Sequence, residues 1–379
     1  MMEIRIANRK IGPGNPVYFI ADIAANHDGD LNRAKELIFL ATKAGADAAK
    51  FQNFRAEQIV SKKGFDSLSS QLSHQKKWKK PVFEVYKDAS LPWEWTPQLK
   101  KYCSEAGIEY MSTPYDLDTV DMLDPFLNAY KIGSGDIDWL EELEYIAHKN
   151  KPVILSTGAA TVEDVDRAVK CILEVNPQLA VLQCNTNYTG SEENLKSVNL
   201  RVIETYKNRY PKCVIGLSDH TPGHSAVLGA VALGACIVEK HFTDDTSREG
   251  PDHPFSLDFD AWKAMVDDTR KLENALGDGI KRIEENEKET QFIQRRCVRA
   301  LRNIKAGTKI ERSDITVLRP LTEDAILPHE IGDVIGKIAA RDIKEENAIR
   351  WIDLDMQTSK LETSKLVNSN PRATTSQTA

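Results

Sequence analysis

The sequence predicts a (β/α)8 TIM barrel followed by a small β-rich domain. Three observations carry that expectation. Short apolar runs alternate with longer amphipathic segments, the pattern that builds a parallel sheet. There are eight such runs, and 379 residues leave room for the roughly 250 of a closed eightfold barrel plus a smaller domain. No run is followed by the GxGxxG turn of an open dinucleotide-binding sheet.

The runs fall at 17–24 (VYFIADIA), 46–52, 108–114, 129–134, 152–157, 180–185, 213–218 and 235–240. Helical patterns such as LNRAKELIFLATKAG (31–45) and TVEDVDRAVKCILEV (161–175) lie between them, with apolar residues three and four apart. The connection 53–107 is too long for one helix. Its SHQKKWKKPVFEVYKDASLP reads as an inserted loop and helix, with the lysines on a solvated face. The barrel is expected over 1–280 and a linker over 281–295. Short β-like pieces with KAGTKI turns mark the second domain at 296–355. The tail 356–379 is polar and poor in aromatics, so disorder is expected there.

Composition removes several function classes. The chain is 41% hydrophobic and 28% charged with a net charge of −7, so general attraction to nucleic acid or anionic membrane is excluded. MMEIRIANRKIGPG lacks a signal-peptide apolar core, and no run is long enough to span a bilayer. The six scattered cysteines form no CxxC pair. They read as reduced residues of a cytoplasmic protein, not a disulfide frame or a zinc site.

Chemistry is expected where the strands end, because barrels of this kind carry their active sites at the carboxyl face. The first run ends in Asp22, the second in Lys50 and Gln52, the third in Thr113, the fourth in Lys131 and GSGD (133–136). The fifth ends Ser156-Thr157-Gly158, the sixth Asn185-Thr186-Asn187, the seventh Ser218-Asp219-His220 and the eighth Glu239-Lys240-His241. One polar ending means little, but eight define a polar floor. Successive strand residues face opposite sides. Glu239 and His241 therefore face the mouth, and Lys240 ion-pairs in the helical shell. A lone histidine at a strand end is most simply a hydrogen-bonding group. The pair His220 and His241 on neighbouring ends suits an exchangeable divalent metal instead. One lysine at a strand end would serve a Schiff base or an ion pair with Asp22 or Asp136. Lys50 and Lys131 together, with Ser134, Ser156, Asn185 and Ser218, suit a phosphate and a carboxylate.

The stretches FIADIAANHDGDLNRAKELI, AGADAAKFQ, YKIGSGDI, PVILSTG, GLSDHT, VEKHFT and EGPDH resemble the sialic acid synthase (NeuB-type) family over roughly residues 3–355. Residues 296–355 resemble its SAF (antifreeze-like, β-clip) domain. The resemblance implies a C–C bond-forming transferase that condenses phosphoenolpyruvate (PEP) with an N-acylhexosamine such as N-acetylmannosamine, giving a nonulosonic acid and phosphate. By matching motifs it implies that Lys50, Lys131, Ser134, Ser156, Asn185 and Ser218 hold PEP. His220 and His241 would bind manganese, with magnesium or cobalt as alternatives. Asp136 would stand near the developing cation and attacking water, Glu239 and Asp252 would meet the acceptor, and Gln52 and Thr113 would line the pocket. It also implies a homodimer whose SAF domain caps the partner barrel, bringing Arg319 to the acceptor's acyl group.

The chain departs from the family pattern in three places. Asp22 replaces the usual glutamate of the first motif, LTEDAILP follows Arg319-Pro320, and QCNTNYTGSEENL (183–195) replaces a CTSxYP form. The last two fall near the acceptor, so legionaminic- and pseudaminic-type sugars stay open. A Schiff-base aldolase through Lys50 or Lys131, and a non-catalytic carbohydrate- or ice-binding module, are the other readings. For the synthase, borohydride with pyruvate is expected to trap no adduct and a chelator to stop phosphate release. A pyruvate adduct on Lys50 or Lys131 would support the aldolase.

Overall fold

A computed structural model describes residues 3–68 and 73–355; the tail expected to be disordered lies outside the described residues. Two compact units meet in sequence at Asp278 and Gly279.

The first unit opens with an antiparallel hairpin, β1 (Ile4–Ile6) and β2 (Arg9–Ile11). Eight parallel strands follow: β3 (Tyr18–Asp22), β4 (Ala48–Asn53), β5 (Glu109–Pro114), β6 (Tyr130–Ile132), β7 (Val153–Ser156), β8 (Leu179–Cys184), β9 (Val214–Asp219) and β10 (Ile237–His241). Their order is β5-β4-β3-β10-β9-β8-β7-β6. The first barrel strand thus pairs with the last, and the sheet is a nearly closed barrel. Ladder pairing between β5 and β6 is the missing link among the described residues.

Alternation along each strand sorts the residues into an inside and an outside. The lower interior is apolar: Tyr18, Ile20, Ala48, Met111, Ile154, Ala180, Leu182, Val214 and Ile237 form one cluster. The hairpin, which sequence reading did not anticipate, adds Ile4, Ile6 and Ile11 to the same cluster. It plugs the barrel bottom and keeps water from the floor of the site. Each isoleucine is fully buried, worth about 1.5–3 kcal/mol. The next inward positions up the strands are Asp22, Lys50, Thr113, Lys131, Ser156, Cys184, Ser218 and Glu239.

Outside, helices cover the sheet. Leu31–Lys43 is capped by Asp30, whose side chain accepts from the Asn32 and Arg33 amides, and it buries Ala34, Leu37, Ile38 and Ala41. Val162–Leu173 starts in a capping box between Thr161 and Asp164 and buries Val165, Ala168, Val169 and Ile172. The insertion is a set of short helices, among them Ala56–Ile59, Lys62–Asp66 and Val82–Ala89, before the barrel helix Thr96–Ala106. Lys79 and Lys80 are exposed on it, paired with Glu249 and Asp88.

In the second unit a helix, Lys288–Gln294, occupies the stretch expected to be a linker. Four short strands follow, β11 (Cys297–Ala300), β12 (Ile315–Leu318), β13 (Ile338–Ala339) and β14 (Leu354–Asp355), pairing as two antiparallel ladders. They surround a core of Val298, Ile304, Ile310, Ile326, Ile343 and Ile349.

Lys240 points outward from β10, as the alternation requires. Its ammonium is fully buried, 2.5 Å from Asp219, and also donates to the Thr221 carbonyl. Lys240→Met would leave Asp219 buried without its cation. The expected loss is about 3–5 kcal/mol of stability in urea unfolding, with a smaller loss when Asp219→Asn accompanies it. A single-variant loss below about 1 kcal/mol would contradict the pair's role.

Candidate active site

The polar layer of the barrel opens into a cavity of about 430 Å³. Its floor is a set of four buried charges. Lys50 Nζ lies 2.7 Å from Asp22 and 4.0 Å from Glu239. Lys131 Nζ lies 3.3 Å from Glu239 and donates to the Ile132 carbonyl at 3.1 Å. Ser218 Oγ donates to Glu239 at 3.0 Å, and Gln52 Nε2 to Asp22 at 3.2 Å. Register explains the grouping: His241 pairs with Asp22, Asp22 with Lys50 and Glu239 with Ser218 across adjacent strands. His241 Nε2 stands 3.5 Å from Asp22, and the His241 and His220 rings are 5.4 Å apart. Asp136 takes its place from the short 3-10 turn Ser134–Asp136 after β6.

Several buried polar atoms facing this space have no hydrogen-bond partner among the described residues: Thr113 Oγ1, Ser156 Oγ, Glu239 Oε2 and His241 Nδ1. Buried polar groups are normally satisfied, so unmet groups on one cavity wall mark a ligand site. The wall is also tight. Gly158 donates its amide to Ser134 Oγ at 2.9 Å. A Cβ on Gly158 would lie 1.8 Å from Thr186 Oγ1 and 3.0 Å from Cys184 Sγ and Ser134 Oγ.

Of the expected site residues, Asp22, Lys50, Gln52, Thr113, Lys131, Ser134, Asp136, Ser156, Ser218, His220, Glu239, His241 and Asp252 line the cavity. Asn185 is not among its lining residues. Its amide donates outward to the Ser197 carbonyl at 3.3 Å, while Cys184 and Thr186 on either side line the cavity. Strand alternation starting from Leu182 inside would have chosen those neighbours. Arg319 is exposed in the second unit, just past β12. Sequence reading missed the aromatic wall of Phe54, Trp78, Tyr86, Tyr115 and Tyr188, with His74. These residues come from loops and the insertion, where no strand period points to them.

A family model described as the NeuB family matches residues 37–281, and an SAF domain model matches 295–355. The chain belongs to the NeuB family. It is 35% identical to the N,N'-diacetyllegionaminic acid synthase of Campylobacter jejuni subsp. jejuni, over 87% of this chain and 98% of that one. It is also 35% identical to the pseudaminic acid synthase of the same organism, over 89% and 96%. A solved N-acetylneuraminic acid (sialic acid) synthetase from Leptospira borgpetersenii superposes with a TM-score of 0.67 at 32% identity, covering 76% of this chain and 95% of that one.

Electrostatics divide the site of this NeuB-family chain. Burial alone would push Asp22 up, but Lys50 and His241 hold it below the usual carboxylate range. Lys50 is held high because Asp22 and Glu239 outweigh its burial. Burial, with Lys50 nearby, pulls Lys131 down. Away from the lysines the trend reverses. Burial and then Asp138 push Asp136 up to about 6. Burial and Asp22 push Asp252, which accepts from the Ala25 amide at 3.0 Å, up to about 6. Burial drives His241 down to about 3.

The crowding at Gly158 gives a direct test. Gly158→Ala is expected to weaken PEP binding about tenfold or more by displacing the Ser134 and Thr186 side chains. Adding Thr186→Ala should recover part of that loss. Titration of tryptophan fluorescence with PEP reads both, and unchanged affinity in the single variant would contradict the tight wall.

Proposed function

We propose that this chain condenses PEP with the open-chain aldehyde of an N-acylated hexosamine, forming a nonulosonic acid and releasing phosphate. The observation that carries this reading is the buried floor. Lys50 and Lys131 rise from two strands, and unpartnered hydroxyls stand beside them in one cavity. An ammonium has three donors, so each lysine keeps donors for the phosphate and carboxylate after pairing with Asp22 or Glu239. Glu239 Oε1 takes the contacts to Lys131 and Ser218, and Oε2, 4.0 Å from Lys50, is left for the acceptor.

The histidines fit a divalent ion. His241 is neutral at working pH and keeps Nδ1 unpartnered. His220 Nδ1 lies 3.1 Å from the Asn185 carbonyl, which leaves Nε2 for a metal. His220 itself is pushed up despite burial, Cys184 being the leading cause. No cluster of three or more His, Cys, Asp or Glu set to hold a metal occurs among the described residues, so water and substrate oxygens would complete the shell. Manganese, or magnesium or cobalt, would supply Lewis-acid polarisation of the aldehyde oxygen.

Carbon 3 of PEP then bonds to the aldehyde carbon, and Asp136 as a base directs water to carbon 2. Phosphate leaves with its bridging oxygen. Asp252 and Tyr188 face the acceptor side of the cavity. The family resemblance further supports a homodimer in which the SAF domain of one copy caps the other's barrel and Arg319 meets the acyl group. A cytoplasmic setting suits the six free cysteines. The Schiff-base alternative has less support: Lys50 is held protonated, and Lys131, although burial pulls it down, is paired with Glu239 at 3.3 Å.

Purified protein with PEP, manganese and a panel of N-acylhexosamines is expected to release phosphate with one of them, and EDTA to stop it. His220→Ala with His241→Ala should lower turnover about a thousandfold or more. With Asp136 and Asp252 near 6, kcat/KM should fall as pH drops below about 6, where both carboxylates protonate. Asp252→Asn should leave a shallower acid limb from Asp136 alone. Full activity with EDTA, or a pH-independent rate from pH 8 to 5, would contradict the scheme.

A further inference from the structure

A second chamber of about 810 Å³ adjoins the catalytic cavity, and the two share Ala25, His74, Trp78, Val85, Ala89, Tyr188 and Pro251. We infer that this outer chamber is a subsite for an uncharged acyl substituent on the acceptor sugar, one that His74 reads by a hydrogen bond, and that it disfavours a phosphorylated acceptor. The inference rests on the synthase reading above and names the acceptor class more closely.

Three observations carry it. First, the walls are largely apolar: Trp78, Val85, Ala89, Pro251, Pro254 and Phe255. A small methyl-bearing group gains by leaving water against such surfaces. Second, among the described residues the chamber's lining carries no surplus positive charge. Its cations are Lys79, Lys80 and Arg248, and its carboxylates are Asp28, Asp88 and Glu249. They pair off, Lys79 with Glu249 at 2.7 Å, Lys80 with Asp88 at 2.6 Å and Arg248 with Asp28 at 2.6 Å. A phosphate dianion arriving there would meet a carboxylate beside each cation, Glu249 at Lys79, Asp88 at Lys80 and Asp28 at Arg248. An amide meets no such repulsion.

Third, His74 stands at the junction with an unmet bond. Its ring packs edge-on against Trp78 at 5.2 Å and Tyr188 at 5.1 Å. Tyr188 in turn packs on His220 at 4.5 Å. Nδ1 of His74 is buried and has no hydrogen-bond partner among the described residues. Burial, and then His220, lower its pKa, so the ring is neutral and can either donate to an amide carbonyl or accept from an amide N–H. An apolar box with one neutral polar atom matches an acylamino group, whose methyl needs surface and whose amide needs one partner.

The test compares N-acetylmannosamine, its 6-phosphate and a 2,4-diacetamido hexose in phosphate release by the manganese-loaded enzyme with PEP. The diacetamido sugar is expected to have a KM about tenfold below that of N-acetylmannosamine, and the phosphorylated sugar the poorest kcat/KM. His74→Leu should raise the KM of the diacetamido sugar about tenfold and the KM of N-acetylmannosamine far less. His74→Asn, which restores a polar atom near the Nδ1 position, should recover most of the preference. A preference for the phosphorylated sugar, or equal effects of His74→Leu on both acceptors, would overturn the subsite. Calorimetric titration of the same sugars into manganese-loaded enzyme without PEP needs no turnover. Failure of the diacetamido sugar to bind there would also overturn the subsite. Its binding there without phosphate release in the assay would uphold the subsite and count against the synthase reading.

Discussion

Two lysines and two carboxylates buried in one barrel are the constraint around which the rest is arranged. Each charge removed from water costs several kcal/mol unless a partner repays it. The partners are supplied by strand register, which sets Asp22 beside Lys50 and brings Glu239 between Lys50 and Lys131. Below them the apolar layer and the hairpin isoleucines exclude water, so the interactions act in a weak dielectric. The floor is therefore charge-balanced before substrate arrives. In the proposed reaction PEP would carry both a phosphate and a carboxylate into it. A divalent cation at the two imidazoles would restore the balance, which gives the metal an electrostatic as well as a chemical reason to be there.

Outward from the floor the character of the wall changes. Asp136 and Asp252 lie beyond the reach of strong lysine pairing and are pushed up to about 6. They are poised to exchange protons where Asp22 is not. Farther out, aromatic rings from the insertion and from the loop after β8 replace charges. The site thus runs from fixed charge, through titratable carboxyls, to an apolar chamber with a balanced rim. That order suits a reaction that anchors an anionic donor deep and selects a neutral acceptor near the mouth.

Much of this was legible in the sequence because period-two alternation is a rigid rule. The opposite facing of Glu239 and Lys240 follows from it, and Lys240 does pair with Asp219 outside the barrel. The same rule shows why Asn185 was a poor choice: it lies three residues from the inward Leu182, on the outward phase. What could not be read lies where no period operates. His74, Trp78 and Tyr86 reach the cavity from an insertion whose short helices have no fixed relation to the strands. The hairpin plug was missed because its strands have three residues each, too few for alternation to show. Gly158 looked like a strand terminus, and only the neighbouring Thr186 side chain shows that a Cβ has no room there.

The most direct test of the central claim uses PEP labelled with heavy oxygen at the bridge between carbon 2 and phosphorus, turned over with whichever hexosamine the enzyme accepts. Water directed by Asp136 to carbon 2 requires the carbon–oxygen bond to break, so the account predicts that the label appears in inorganic phosphate. Label kept in the sugar acid, with phosphate drawing its new oxygen from solvent, would mean attack at phosphorus. That result would contradict Asp136 as the base that directs water to carbon 2.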